Sequence, residues 1–350
     1  MRLRGIGRIR RVSRKWRNRL SPGALILLYH RVAKLDSDPQ QLQVSPSHFA
    51  EQLQTIKDIG IPISLQELVR GLRSGKVPSR SVVVTFDDGA ADNLLAAKPL
   101  LERYSIPATI FVSTGYMKTA REYWWDEVER LVLQPGELPA HLRLVVDGQV
   151  HEWALEEKTN YTETDFDTHR SWNVNRGDEP TYRHQLYRSL ISLLYPLAPS
   201  ERFQQLDYLK EWAGDETLSR DTHRPLTEEE VRQLANSGQI EIGAHSVSHS
   251  MLASLSGSEQ QREIQQSKAD LEEILGYPMR SFAYPFGTLS DYTRETLNIV
   301  KQMGFECACS NYKDLVQPGD DRFQLPRLLV RDWDGDEFTN YVTHWFRGEM

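Results

Sequence analysis

The stretch Val82-Val83-Val84-Thr85-Phe86-Asp87-Asp88-Gly89 decides how this chain is read. Five consecutive β-branched or aromatic residues make a short strand buried on both faces, a habit of parallel sheets rather than of one-sided antiparallel ones. The run stops on two carboxylates and a glycine, so Asp87 and Asp88 stand at the strand's carboxyl end. Similar apolar runs recur at roughly Leu25–Tyr29, Ala108–Val112, Ile240–Gly243, Ser281–Tyr284, Glu306–Ala308 and Leu325–Val330. Helix-period segments lie between them. Phe49, Leu53, Ile56 and Ile59 form a stripe closed by Gly60, Leu94 to Tyr104 forms another, and Ile264, Lys268, Leu271 and Leu275 share a face ahead of Gly276. Thr227 with Glu230 makes a capping-box pair before Val231 and Leu234, with Gly238 as the stop. Six or seven such units predict an α/β fold, a parallel sheet or barrel built from βα repeats.

The pattern breaks between about Tyr116 and Pro225, where Trp, Tyr, His and charged residues mix and no unit repeats. We read residues 116–225 as an insertion or lid, with a helical stretch from Leu186 to Leu209 and a hairpin over Leu142–Trp153 about Asp147-Gly148. The expected organisation is an arm over 1–22, one domain over 23–340 and a tail over 341–350.

A 350-residue chain that is 39% hydrophobic can bury a large core, so a small stapled scaffold is excluded. Cys307 and Cys309, the two cysteines, lie two apart in a predicted strand and are poorly placed to bridge each other, which fits a reducing compartment. Residues 1–20 hold nine Lys and Arg and no acid, which leaves the remainder at about −16 within a net charge of −7. Such an acidic body does not bind nucleic acid broadly. The basic arm spaces Leu3, Ile6, Ile9, Val12, Trp16 and Leu20 as one helical face. It is either a peripheral contact with an anionic membrane or a disordered tail. No apolar stretch of the kind a signal peptide carries follows the arginines, and Ala24 to Tyr29 is too short to span a bilayer. The expected location is cytoplasmic, at the inner membrane surface if the arm docks there.

In βα folds, function gathers at the carboxyl ends of the strands. Asp87-Asp88, His245-Ser246-Val247-Ser248-His249 and Tyr29-His30 all fall there. Alone, a His-x-x-x-His step reads as two surface or capping histidines and Asp-Asp-Gly as a tight turn. Placed on one face, they supply the carboxylate and two imidazoles that a hydrolytic divalent metal requires, as Asp88, His245 and His249. Histidines four apart are expected on one face of a helical turn, where both reach one ion. Asp87 is then the natural base for an attacking water.

Thr85 to Gly89, His245 to His249 and Phe282-Ala283-Tyr284-Pro285-Phe286-Gly287 together resemble the three motifs of the polysaccharide deacetylase family, also called the NodB-homology or carbohydrate esterase 4 family. Leu25 to Val32 resembles the opening strand of its bacterial exopolysaccharide-type branch. The resemblance covers about residues 24–115 and 226–335. It implies a distorted (β/α)7-type barrel with a large insertion between the third strand and the His-x-x-x-His motif. It also implies Asp87 as catalytic base and Asp88, His245 and His249 as metal ligands. The third motif would form a groove wall in which Tyr284, Pro285 and Phe286 meet substrate and the Phe286 N–H faces the oxyanion. Zinc fits these ligands, and cobalt, manganese, nickel or iron would also be accepted.

The chain departs from the family pattern in three places. Ala283 stands where many relatives carry an arginine beside the catalytic aspartate, and Arg327 is expected to supply that charge from a later strand. No late histidine matches the family's general acid, so His30 is taken as its replacement. Asp332-Trp333 comes after the arginine rather than before it. Trp125, in Trp124-Trp125-Asp126, is a candidate for stacking on a sugar ring or else an apolar anchor. The expected activity is removal of N-acetyl groups from a hexosamine-containing polysaccharide or glycan precursor. The alternatives are an O-acetyl esterase or small-amide hydrolase on the same core, a catalytically silent glycan-binding module, and a membrane scaffold dominated by the arm.

Overall fold

A computed structural model describes residues 23–119, 121–155, 159–217 and 219–349. The basic arm over 1–22 lies outside them. Strand β1 (Leu25–Tyr29) is followed by a two-residue β2 (Ile61–Pro62), then β3 (Ser81–Phe86) and β4 (Ala108–Val112). Every residue of β1, β3 and β4 is buried, as their unbroken apolar runs require. A hairpin, β5 (His141–Val146) and β6 (Gln149–Ala154), precedes β7 (Ile240–Ala244), β8 (Ser281–Ala283), β9 (Cys307–Cys309) and β10 (Leu328–Leu329). The main sheet runs β9-β8-β7-β4-β3-β1-β10, with β2 beside β3 and every pairing parallel.

The sheet curls until the stretch from Leu325 to Leu329 touches both of its edges. Leu325 bridges Cys309, while Leu328 and Leu329 pair with Leu27 and Leu28. The expected strand over Leu325–Val330 is therefore reduced to two residues, because the chain leaves one edge to reach the other. The result is the distorted barrel that was expected.

Strand alternation divides the core. Leu25, Leu27, Val82, Val84 and Phe86 pack against the helices, while Ile26, Val83 and Phe111 share an inner cluster with Ala283, Cys307 and Cys309. Helix α1 (Pro46–Ile59) places Phe49, Leu53 and Ile56 against the sheet, with the Phe49 ring edge-on to Tyr29 at 5.2 Å and Phe86 at 5.8 Å. Burying side chains of this size contributes about 1.5–3 kcal/mol each. Ser45 caps the start of α1 by accepting from the His48 N–H.

Gly60 ends α1 in extended backbone rather than in the left-handed stop the sequence implied. Its glycine is required by close approach, since a Cβ would lie 2.6 Å from Val82 Cγ2. Gly276, by contrast, does close its helix in the left-handed region. Helix α2 (Leu65–Ser74) covers the inner cluster. The segment from Leu94 to Tyr104 is a π turn over Asn93–Ala97 followed by α3 (Lys98–Tyr104).

Between β4 and β7 the chain builds its own apolar core from α4 (Trp124–Leu133), the hairpin, α5 (Tyr182–Leu194) and α6 (Pro199–Ala213). The expected single helix from Leu186 to Leu209 is broken at Tyr195-Pro196, where proline removes a donor. Asp147 and Gly148 take the paired positive φ of a type I′ turn, as expected. Helices α7 (Glu228–Ala235), α8 (Gly257–Leu275) and α9 (Arg294–Gln302) return between the later strands, and Thr227 with Glu230 forms the capping box. Residues 341–347, set apart as a tail in the sequence reading, continue α10 (Gly335–Arg347) and bury Val342, Trp345 and Phe346 against the main core. No helix among the described residues is long and apolar enough to cross a membrane.

Candidate active site

β3 delivers Asp87 and Asp88 to the end of the barrel. The Asp87 N–H donates to the Tyr29 carbonyl at 3.0 Å, and the chain then turns through Asp88 and Gly89, both with positive φ (75° and 81°). Gly89 also needs to lack a side chain, because a Cβ would sit 3.0 Å from Val112 Cγ1. β7, which lies beyond β4 from β3, brings His245, whose N–H donates to the Val112 carbonyl at 3.1 Å.

The His-x-x-x-His stretch is not helical, which corrects the expected helical turn. It is a loop in which Ser246 and His249 adopt φ of 61° and 50°. Ser246 Oγ accepts from the His249 N–H at 3.1 Å, and the Glu263 carboxylate on α8 accepts from the Val247 and Ser248 N–H groups at 3.0 and 2.8 Å. The two imidazoles converge because the loop folds back on itself, not because of a 3.6-residue period.

The ligand atoms of Asp88, His245 and His249 all lie within 4.8 Å of one another, and all three residues are buried. Asp88 Oδ1 is 3.2 Å from His249 Nε2 and 3.6 Å from His245 Nε2. His245 Nδ1 sits 2.8 Å from the Ala283 carbonyl, so it carries the proton and leaves Nε2 as the lone-pair nitrogen. Asp88 Oδ1 and His245 Nε2 are buried without a hydrogen-bond partner. Orphaned polar atoms of this kind are costly, and a divalent cation would satisfy both together with His249.

Arg327 reaches Asp87 as expected. Its Nη1 and Nη2 donate to the two carboxylate oxygens at 2.7 and 2.6 Å, while Nε donates to the Ser310 carbonyl at 2.8 Å. Burial pushes the Asp87 carboxyl up, but the Arg327 charge, then His245, outweighs it and holds Asp87 below the usual carboxylate range. Burial likewise opposes the ionised form of Asp88, and the two imidazoles, His249 foremost, hold it far below that range. Burial lowers His245, yet Asp87 and Asp88 leave it raised overall; His249 stays lowered, with burial the leading cause.

These groups floor a cleft of ≈ 330 Å³. His30 lines it with its Nδ1 unpartnered, and burial lowers its pKa against the pull of Asp88 and Asp87. Phe286 and Trp125 set their ring edges against His249 at 4.6 and 4.9 Å. Trp125 is only 6% exposed, so most of the indole packs rather than faces solvent. No carbonyl accepts from the Phe286 N–H among the described residues. Tyr284 and Pro285 do not line the cleft, against expectation. The Tyr284 ring is fully buried, stacked 4.2 Å from Tyr292, and its hydroxyl donates to the Phe323 carbonyl at 3.0 Å. Asp332 accepts from the Ser45 N–H and contacts His48 at the start of α1, and His344 is exposed on α10, so neither belongs to the site.

Ile191 and Tyr195 from the end of α5, Gln40 and Arg331 complete the walls. None carried a signal in the sequence. Tyr195 is half-buried, and its ring lies 4.3 Å from Phe286.

A family model described as polysaccharide deacetylase matches residues 74–173 and 206–308. Among curated relatives, a poly-beta-1,6-N-acetyl-D-glucosamine N-deacetylase of Staphylococcus aureus (strain MRSA252) is 21% identical over 336 residues, covering 92% of this chain and 82% of its own length. Two solved structures share the fold. The Streptococcus pyogenes deacetylase PplD in complex with acetate has a TM-score of 0.56 at 18% identity, covering 91% of this chain and 98% of its own. IcaB from Ammonifex degensii has a TM-score of 0.54 at 19% identity, covering 93% and 97%.

Proposed function

Because the chain belongs to the polysaccharide deacetylase family, hydrolases of carbon–nitrogen bonds, we propose that it removes N-acetyl groups from a hexosamine-containing polysaccharide or its precursor. The observation that carries this reading is the buried Asp88–His245–His249 trio, with two unpartnered ligand atoms, beside an aspartate clamped by Arg327. The name of the staphylococcal relative supports a polymer of N-acetylglucosamine as the substrate class.

Asp88, His245 and His249 would hold one divalent metal, with zinc as the first choice for one carboxylate and two imidazoles. Bound there, it would act as a Lewis acid that acidifies water and polarises the acetyl carbonyl. Asp87 takes the proton from the attacking water. Each of its oxygens accepts one Arg327 N–H and keeps a second lone pair for this transfer. Arg327 keeps Asp87 ionised across the neutral range, so the base is always ready, and position rather than basicity makes it effective. The Phe286 N–H is our candidate donor to the developing oxyanion. His30, neutral at rest, would protonate the leaving amine with a proton passed on from the Asp87 side. The Tyr195–Phe286 pair is more accessible than Trp125 and is our preferred platform for a sugar face.

Product analysis tests the reading. Incubation with zinc and an oligomer of β-1,6-linked N-acetylglucosamine should release acetate and an equal amount of new primary amine. Acetate accompanied by a new hydroxyl from an O-acetylated glycan, with no amine from the N-acetyl oligomer, would replace the amide by an ester.

A further inference from the structure

Two of the three residues assigned to the metal, Asp88 and His249, lie in the left-handed region at φ 75° and 50°. A non-glycine residue stays there only when its surroundings hold it. Part of the hold comes from the strand ends themselves, since the Ser113 N–H donates to the Asp88 carbonyl at 3.3 Å and Ser246 Oγ accepts from the His249 N–H at 3.1 Å, and part comes from outside the barrel. Tyr123 Oη donates to the Asp88 carbonyl at 2.5 Å, and Arg202 Nη1 donates to the His249 carbonyl at 3.4 Å. Both donors belong to the segment between β4 and β7.

Each donor is aimed by its own packing. The Tyr123 ring is stacked between Tyr116 at 4.1 Å and Trp125 at 4.8 Å, which fixes the direction of its hydroxyl. Arg202 is 1% exposed, and all four of its hydrogen bonds among the described residues go to carbonyls. Besides His249 these are Leu194 at 3.1 Å, Tyr195 at 3.2 Å and Leu197 at 2.8 Å, where α5 ends. Its guanidinium also lies over the Trp124 ring at 5.2 Å. A buried cation is tolerated only when its donors are satisfied, so α5, α6 and the His249 loop must come together for Arg202 to be accommodated at all.

We propose that Tyr123 and Arg202 are positioning residues that hold Asp88 and His249 in metal-binding geometry, which makes metal affinity depend on the docking of the 116–225 segment. This rests on the metal-site reading above. Linkage is reciprocal, so a bound metal must in turn stabilise that docking.

The experiment measures zinc affinity of the full chain by competition with a chromophoric chelator for the unmodified protein, Tyr123→Phe, Arg202→Lys and Tyr161→Phe. Tyr123→Phe keeps the stacked ring and removes one hydroxyl. Tyr161→Phe removes a hydroxyl from the same segment whose partner is the Asp165 carbonyl, away from the site. Loss of an outer partner of a metal ligand typically weakens binding roughly 10- to 100-fold. We expect that loss for Tyr123→Phe and Arg202→Lys and none for Tyr161→Phe. Zinc should also slow amide hydrogen exchange across residues 182–213 in the unmodified protein, and do so less in Tyr123→Phe. A purely structural role would lower the melting temperature of the metal-free variants and leave zinc affinity unchanged. Equal affinities for the unmodified protein and Tyr123→Phe would overturn this inference alone, whereas no zinc binding by the unmodified protein would overturn the metal-site reading and the inference with it.

Discussion

Replacing Arg327 with methionine should move both stability and the pH dependence of catalysis, each in a defined direction. Arg327 is fully buried and makes two short bonds to an aspartate that is only 3% exposed. Removing one partner of a buried ion pair leaves the other uncompensated, at about 3–5 kcal/mol. With roughly 2.1 cal/mol/K of unfolding entropy per residue, a domain of this length loses about 4–7 °C of melting temperature. The pH dependence follows from the sign of the shift. In the native protein the Asp87 pKa is depressed, so its contribution to stability is present above about pH 3.9, the ordinary value, and is lost as the pH falls through the folded one. Without Arg327, burial prevails and the folded pKa rises. A close opposite charge holds a carboxyl down, so the acid limb of kcat/KM should move to higher pH. The melting-temperature gap between the two proteins should widen from acid toward neutral pH. Arg327→Lys, which keeps the charge without the two-pronged fork, should fall between them. Thermal melts of the metal-free proteins and kcat/KM profiles on an N-acetylated oligomer between pH 4 and 8 measure both effects. An unmoved acid limb together with an unchanged melting temperature would refute the coupling of Arg327 to Asp87.

Asp88→Ala and His249→Ala should each abolish stoichiometric metal binding and deacetylation. Zinc at 100 times its dissociation constant should add about 2.7 kcal/mol to the stability of the unmodified protein and nothing to theirs; equal stabilisation of either variant would remove that residue from the ligand set. Asp87→Asn should retain the metal yet lower kcat by about 10²–10⁴-fold, and a rate within tenfold of the original would end its assignment as base. Burial raises the Cys307 thiol and pushes Cys309 up to about 12, so neither should react with a chromogenic disulfide at pH 8 until the chain unfolds, when both should. Rapid labelling of the folded protein would contradict their burial.

The barrel was legible because each central strand is a run of apolar residues long enough to be buried on both faces, with Ala108–Val112 the clearest case. Capping chemistry was legible for the same local reason at Thr227 and Glu230, and turn chemistry at Asp147-Gly148. The closing strand was misread because Leu325 to Val330 is apolar except at Arg327, yet the two sheet edges share its pairing. Periodicity could not register the division. Gly60 shows the converse: its position as a helix stop was legible, but its cause, the approach of Val82, belongs to tertiary packing.

At the site, the residue types were readable and the backbone was not. Of the eight non-glycine residues with positive φ among those described, four, Asp88, Ser246, His249 and Phe286, are in or beside the cleft. No sequence period encodes such a conformation, which is why the His-x-x-x-His spacing suggested a helical turn where the chain forms a loop. Each of these residues is held by a contact that arrives from elsewhere: Tyr123 for Asp88, the Thr114 N–H for the Ser246 carbonyl at 3.2 Å, Arg202 for the His249 carbonyl and the Asn311 side chain for the Phe286 carbonyl at 3.1 Å, while Glu263 holds the turn between the histidines. Strained backbone persists only where surrounding structure over-determines it. The residues that made the site hard to read, distant in sequence and unremarked in it, are therefore the ones that hold its shape, and motif matching alone would recover the ligands without the geometry that lets them bind.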